Sequence, residues 1–425
     1  MLPCCVGYLK RNSKMKNKEQ HIFPFLERLL DGAEVEWKKL GEVAELKRGN
    51  SITKKTSKEG KYPVISGGQK PAYYIDRFNC DGETITVAGS GAYAGFVMFW
   101  NEPIFVSDAF SIKTEENLVL PRYVYHFLLN IQGKIYSLKT GSGVPHVYAK
   151  DVGLILIPIP CPSKPEKSIE IQRKIVEILD KFMTLEAELE AELDCRKRQY
   201  EYYRNQLLSF DMLNRGGQRL NNVSIMALGE VGEFIRGKRF VKTDITTQGC
   251  PCIHYGEMYT YYGIWANKSK SFISQTLVNK KNLRQALTND VIIVGAGETI
   301  EDLGVGTAWL SQTPAVIHDA CFIFRSSLNP KYVAYFTRTN NFHDQLRRHV
   351  SSGKISAVNA KGLSKIEIPV PPLSEQERIV SILDKFDTLV NSISEGLPKE
   401  IELRRKQYEY YRNQLLSFPE HKVSA

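Results

Sequence analysis

The stretch Tyr200-Glu-Tyr-Tyr-Arg-Asn-Gln-Leu-Leu-Ser-Phe210 returns letter for letter as Tyr408-Glu-Tyr-Tyr-Arg-Asn-Gln-Leu-Leu-Ser-Phe418. An internal repeat constrains the fold before any other signal, because each copy must adopt the same local structure. Upstream, Ile175-Val-Glu-Ile-Leu-Asp-Lys-Phe182 recurs as Ile379-Val-Ser-Ile-Leu-Asp-Lys-Phe386. Between these anchors apolar residues recur in steps of three and four. One seam runs through Ile175, Leu179, Phe182, Leu189, Leu193, Tyr200, Tyr203 and Leu207. The other runs through Ile379, Leu383, Phe386, Val390, Ile393, Leu397, Tyr408, Tyr411 and Leu415. This spacing predicts two long helices, each with one sticky face of coiled-coil type; a buried core helix is the alternative. Gly396-Leu-Pro398 inside the second copy predicts a kink or short break there.

The duplication extends beyond the helices. Leu40-Gly-Glu-Val43 and Arg48-Gly49 recur as Leu228-Gly-Glu-Val231 and Arg236-Gly237. Short β-rich stretches follow in both copies. Thr84-Ile-Thr-Val-Ala-Gly-Ser-Gly91 is set against Asp290-Val-Ile-Ile-Val-Gly-Ala-Gly297, and Asp108-Ala-Phe-Ser-Ile against Asp319-Ala-Cys-Phe-Ile. Each reads as strand, tight turn, strand. A proline-led helix comes next, from Pro121 or from Pro330, and each copy closes on a strand running into Ile-Pro-Ile-Pro160 or Ile-Pro-Val-Pro371. The middles diverge, as expected of one scaffold carrying two different recognition surfaces.

The 425 residues, 42% of them hydrophobic, suit two domains plus helices, and a net charge of +10 favours a polyanionic partner. None of the 8 cysteines falls in a Cys-x-x-Cys pair, so neither zinc spacing nor a disulfide framework is present. With no apolar run long enough to span a bilayer, the chain reads as reduced and cytoplasmic, with no membrane partner. Met1 to Lys14 reads as a leader, with Met15 as an alternative start. The boundaries read as an N-terminal arm 1–33, a first domain 34–163, a central helix 164–210, a linker 211–222, a second domain 223–372, a C-terminal helix 373–418 and a tail 419–425.

Motifs for chemistry fail on inspection. Gly232-Glu-Phe-Ile-Arg-Gly237-Lys238 has phosphate-loop spacing, but Arg239 stands where magnesium needs Ser or Thr. Gly89-x-Gly91-x-x-Ala94 follows a strand yet leads into another strand, not a helix. Histidines show no metal spacing, and no catalytic or metal residues are assigned. Cationic and polar loops instead suggest DNA contact. In the first copy these are Lys47, Arg48, Asn50, Lys54, Lys55, Lys58, Lys61, Gln69, Lys70, Tyr73, Ser142 and His146. In the second they are Arg236, Lys238, Arg239, Lys242, His254, Tyr255, Tyr259, Ser352 and Lys354.

Leu-Gly-Glu-Val starts, Ile-Pro-x-Pro ends and duplicated helices, with Glu375-Gln-Glu-Arg-Ile-Val380 heading the second, together resemble the specificity subunit of a Type I restriction-modification enzyme. The resemblance covers about residues 25 to 418. It implies two target-recognition domains, each reading one half of a bipartite double-stranded DNA site, and helices that set the spacing and dock two methyltransferase (M) subunits. Restriction (R) subunits would join the full complex. This chain would be non-catalytic and hold no cofactor, with S-adenosylmethionine, ATP and magnesium in the partner subunits. The fold class is then α+β: two mixed α/β target-recognition domains joined by two long antiparallel coiled-coil helices with pseudo-twofold symmetry. The antiparallel course follows from the cyclic repeat, since the second helix must return to the first domain for the copies to be equivalent. A two-domain DNA-binding regulator and a coiled-coil scaffold without DNA binding are the rival readings.

Overall fold

A computed structural model describes residues 23–215, 223–297, 299, 302–351 and 356–419. The chain divides into two compact units. One comprises residues up to Glu188 together with those from Ile401 onward, and the other comprises Leu189–Glu400. The helix Pro165–Leu207, 43 residues long, contributes its first part to one unit and its remainder to the other. The expected linker opens as a further helix, Phe210–Arg215, and residues 216–222 lie outside the described residues.

In the first unit, strands Ala44–Arg48, Ala109–Thr114, Glu83–Ala88 and Val97–Asn101 form an antiparallel sheet in that spatial order. Tyr62–Ile65 pairs antiparallel with Tyr74–Ile75 and parallel with Phe105–Val106. A ribbon of Val35–Lys39 and Leu156–Pro160 closes the unit. The second unit repeats the plan with additions. Gly232–Arg236, Cys321–Ser326, Val291–Val294, Gly306–Trp309 and Trp265–Ala266 make its main sheet. Ile245–Thr246, Ser271–Ile273, Cys250–Ile253, Ala315–Ile317 and Gln285–Ala286 make a second sheet. Its ribbon joins Ser224–Ala227 to Glu367–Val370.

The repeated Leu-Gly-Glu-Val is a one-turn helix wedged at the ribbon. Leu40 and Leu228 are fully buried, and their amides donate to Ile155 and Ile366 carbonyls, both at 2.8 Å. Glu42 and Glu230 reach back to accept from the amides of Lys39 and Ala227, satisfying donors the short helix leaves open. The glycine is tight in the second copy, where a Cβ on Gly229 would lie 2.8 Å from the Ser364 Cβ, whereas one on Gly41 would come no nearer than 3.4 Å to the Gly153 carbonyl oxygen.

Polar side chains root each long helix in the domain before it. Buried Gln172 accepts from the Leu120 amide (2.9 Å) and donates to the Leu118 carbonyl (3.0 Å). Gln376, equally buried, accepts from the Asn329 amide (2.9 Å) and donates to the Pro371 carbonyl (2.9 Å). The aspartate of each Ile-Leu-Asp-Lys-Phe is the second anchor. Asp180 takes Arg122 (2.8 Å) and His126 (2.7 Å), and Asp384 takes Lys331 (2.7 Å) and Tyr335 (2.7 Å). Tyr123 and Tyr332 donate to the Pro158 and Pro369 carbonyls.

The duplicated Tyr-Glu-Tyr-Tyr-Arg segments close each unit. In the first, Tyr408 meets His126 Nδ1 at 3.1 Å and Tyr411 stacks on Phe182 with ring centroids 5.1 Å apart. In the second, Tyr200 donates to Asp387 (3.1 Å) and Tyr203 stacks on Phe386 at 5.5 Å. Ile175 and Leu179 are fully buried in the cluster that holds Tyr123, Val124 and Leu128. These two seam residues therefore serve as domain core, while Tyr203 further along the same seam is 38% exposed.

The second helical copy is interrupted where Gly396-Leu-Pro398 predicts it, giving helices Leu373–Asn391 and Leu397–Leu415. Gly396 has φ +87° and packs so closely that a Cβ would fall 2.5 Å from the Thr388 carbonyl. Pro398 sits in the first turn of the new helix, where no intrahelical amide is lost. Ile393 is a correction to the expected seam: it falls in this break and is 83% exposed, because the helix has already ended at Asn391 and its period stops there.

Gln172→Ala should destabilise the first unit by about 2–4 kcal/mol, since two buried backbone groups lose their partners. Gln376→Ala should do the same in the second, both read by urea unfolding. The first unit should also be acid-sensitive. Burial pushes the His126 imidazole below its ordinary value, although Asp180 opposes this. Burial alone would raise Asp180, but the His126 hydrogen bond and the Arg122 charge outweigh it and hold it low. With both folded values depressed, the unfolded chain binds more protons. Stability is full above the unfolded histidine value of about 6.5 and is lost as pH falls through the folded values. His126→Gln should flatten the fall between about pH 6.5 and 5 in thermal melts, relative to the native chain.

Candidate nucleic-acid interface

In both units the Arg-Gly turn is locked to the loop before a core strand. The Gly49 amide donates to Ala109 (2.9 Å) and Asn50 to Val106 (3.0 Å), while Gly237 donates to Cys321 (2.9 Å) and Lys238 to Ile317 (3.1 Å). A Cβ on Gly49 would lie 2.4 Å from the Val106 and Ser107 carbonyl oxygens, and one on Gly237 2.2 Å from that of His318. Only glycine fits, and the preceding arginines, Arg48 and Arg236, are thereby fixed at one end of the sheet.

These pairings correct the register read from sequence. Ala109 corresponds to Cys321, and Phe110 and Phe322 both face the repeated arginine. Ser107 and His318 correspond too, since their amides donate to Ile65 and Ile253. The second copy therefore carries one extra residue in this loop, and the shared Asp-Ala is a one-residue mismatch.

The glycine loops arrive at the same end. Thr140 and His146 exchange backbone hydrogen bonds (2.9 and 2.8 Å), as do Ser351 and Ala357 (2.9 and 3.2 Å). Val147 donates to Gly89 (3.1 Å) and Val358 to Gly295 (2.9 Å). Arg48, Gly89, Asp108, His146 and Tyr148 consequently line one cavity of about 60 Å³. Ser90 Oγ donates to Asp108, and Gly67 packs on the Ser90 carbonyl, which carries the Gln69-Lys70 loop to the same place. Ser142 is exposed within its loop.

The other cations of the first unit sit apart. Lys54 and Lys55 belong to the turn Lys54–Thr56, the Lys58 carbonyl accepts from Asp76 (3.1 Å), and Lys61 lies 5.2 Å from the Tyr62 ring. They border the small three-stranded sheet. Among the described residues no carboxylate lies within ion-pair distance of Lys47, Arg48, Lys54, Lys55 or Lys58, although Asp108 shares the cavity with Arg48. Tyr73 is turned inward, its hydroxyl spent on the Ile52 carbonyl.

In the second unit, Arg236 Nε donates to the Asp319 carbonyl (2.9 Å) and Arg284 to the Arg236 carbonyl (2.7 Å). Lys238 and Arg239 precede fully buried Phe240, which pins their loop. Lys242 opens the turn Lys242–Asp244. His254, Tyr255 and His318 form a ring cluster, with the imidazoles 4.6 Å apart. His254 Nδ1 accepts from Gly256 and His318 Nδ1 from Ala320. Burial lowers both imidazoles, opposed by Glu257 at His254 and by Asp319 at His318, with Lys242 and Arg239 adding to the fall. Tyr259 faces the Ala296 carbonyl (3.4 Å), and burial raises its phenol. Ser352 and Lys354 lie outside the described residues. Two residues that the sequence did not single out stand beside those it did: Tyr148 lines the cavity with Arg48, and Arg284 donates to the Arg236 carbonyl. Tyr148 follows a glycine-rich turn, which was the available signal.

Among the described residues no cluster of three or more metal-ligating side chains occurs, and no helix is long and apolar enough to cross a membrane. A family model described as type I restriction modification DNA specificity domain matches twice, over 33–194 and 221–403. The type I restriction enzyme EcoR124I/EcoR124II specificity subunit of Escherichia coli is 33% identical over 409 residues, 93% of this chain and 97% of that one. The EcoprrI specificity subunit, also from Escherichia coli, is 28% identical over 402 residues, 87% and 92% of the two chains. The crystal structure of a type I restriction-modification S subunit from M. genitalium shares the fold, with a TM-score of 0.54 at 17% identity over 92% of this chain and 98% of that one. A second solved chain, from work on assembly and conformational transition of the type I R-M system, gives 0.59 at 17%, covering 90% and 97%.

Neutralising Lys47, Arg48, Lys54 and Lys55 should weaken binding to duplex DNA of any sequence. The slope of log affinity against log salt should flatten by as much as about 3 to 4 units, at about 0.9 for each phosphate left without its cation. Titrations at several salt concentrations would read this; an unchanged slope would place the surface away from DNA.

Proposed function

The chain belongs to the type I restriction-modification DNA specificity family, and on that footing we propose that it is the subunit that selects the DNA site for a methylating and cleaving complex. Each unit acts as a target-recognition domain for one half of a bipartite site. The observation that carries this reading is a framework built twice and bearing different loops: Arg48 and Arg236 are fixed by the same glycine contacts, while Ser107 is replaced by His318. Fixed arginines position the backbone, and variable neighbours read bases.

The long helix Pro165–Leu207 and its broken counterpart run antiparallel in this reading and act as the ruler between half-sites. Their outer faces dock two methyltransferase subunits, and restriction subunits complete the assembly. S-adenosylmethionine, ATP and magnesium are held by those partners, and catalysis is theirs. The DNA contacts come from the cationic loops around Arg48 and Arg236, in the cytoplasm. The relatives named as specificity subunits span nearly this whole length, which favours this reading over a free-standing regulator.

The ruler has a natural unit of length. Leu185-Glu-Ala-Glu-Leu-Glu-Ala-Glu192 is a tandem tetrapeptide, and the division between the two compact units falls inside it. Inserting one more Leu-Glu-Ala-Glu after Glu192 adds roughly 6 Å of helix, against about 3.4 Å per base pair. Mapping the sites methylated by the chain with its methyltransferase partner should show both half-sites unchanged and the spacer longer by about one or two base pairs. An altered half-site with the original spacer would sink the ruler, and methylation by the purified chain alone would sink the subunit reading.

A further inference from the structure

The two copies differ at one position where the local folding rule makes the same demand of both and only one meets it. The short helices Ala149–Val152 and Ala360–Ser364 are equivalent, each entered just after the residue that donates to the glycine turn, Val147 to Gly89 and Val358 to Gly295. In the second copy the N-cap is Asn359, whose side chain accepts from the Gly362 amide at 2.8 Å. In the first copy the N-cap is Tyr148, which makes no capping hydrogen bond. Tyrosine has no acceptor that can reach the helix amides, and Asn, Asp, Ser or Thr would be preferred there. A side chain that forgoes a cap and remains 45% exposed is not held there by stability.

What surrounds Tyr148 indicates a use. Its ring stacks on His146, centroids 6.1 Å apart and planes within 15°, and Lys150 Nζ lies 5.7 Å from the ring centre. His146 and Tyr148 line the small cavity with Arg48 and Asp108. We propose that the stacked His146–Tyr148 pair is a specificity-determining contact of the first recognition domain. The flat aromatic face and phenol hydroxyl meet base edges of one half-site while Arg48 and Lys150 take the flanking phosphates. Aromatic and apolar surfaces discriminate bases through thymine methyl contact, and a hydroxyl adds hydrogen bonding in the groove. Position 359 lacks the ring, so the second domain reads its half-site by other side chains. This inference rests on the proposed function and adds the residues that read one half-site.

The test is Tyr148→Asn, which installs in the first copy the cap that the second already has. The full chain is assembled with its methyltransferase partner, and base preference is measured by competition among duplexes randomised at each position. The native assembly is measured first. If it shows no bipartite preference, the proposed function fails, and that is distinct from failure of this inference. Given a native preference, Tyr148→Asn should leave the melting temperature unchanged or raise it by about 1–3 °C. Preference should flatten by roughly 5- to 150-fold at one or two adjacent base pairs of a single half-site, with the other half-site intact. His146→Ala should flatten the same positions. Retained preference, or a uniform loss across both half-sites with a lower melting temperature, would overturn the inference, because either outcome marks Tyr148 as a packing residue.

Discussion

Each recognition domain depends on a buried glutamine. Gln172 holds one backbone donor and one backbone acceptor of the loop before Pro121–Asn130, Gln376 holds a donor in the loop before Pro330–Phe336 and an acceptor just ahead of its own helix, and each belongs to the helix that leaves the domain. The bonds are directional, so they fix the angle at which the helix departs. Two turns later Asp180 and Asp384 repeat the tie with charged or aromatic partners. A domain whose helix exits in one orientation can serve as one end of a ruler, which a hydrophobic seam alone would not ensure, since apolar packing tolerates sliding.

The copies keep backbone-to-backbone contacts and vary what projects from them. Gly49 and Gly237 sit against carbonyl oxygens, and no side chain is possible there. The residues around them are free to change, as at Ser107 and His318 or Tyr148 and Asn359. Even the partner of the anchoring aspartate changes, from His126 to Tyr335, with the consequence that acid sensitivity at this anchor resides in the first unit. Duplication followed by divergence outside the close contacts accounts for a chain whose framework is repetitive and whose surfaces are not.

Much of this was legible in the residues. The repeat marked both helical copies, proline marked the starts of Pro121–Asn130 and Pro330–Phe336, and Gly396-Leu-Pro398 located the helix break. These are local signals, set by φ restriction, missing amides and apolar period, and they act whatever the rest of the chain does. Arg48 and His146 belong to loops far apart in the sequence, and the fold brings them to one cavity.

The duplication, the Gly396 break and the proline-led helices can be read from neighbouring residues, because each is set by local backbone restriction or by a repeated string. Which aromatics face outward is settled by contacts far apart in the chain: Tyr73 and Tyr259 spend their hydroxyls on distant carbonyls, while Tyr148 stands exposed. The tertiary structure also decided that the shared Asp-Ala of residues 108–109 and 319–320 is out of register by one, and that Ile393 belongs to no seam. The direction of a loop side chain is set by which remote backbone it lies against. That contact carries no period along the chain, so it leaves no trace until the strands are paired.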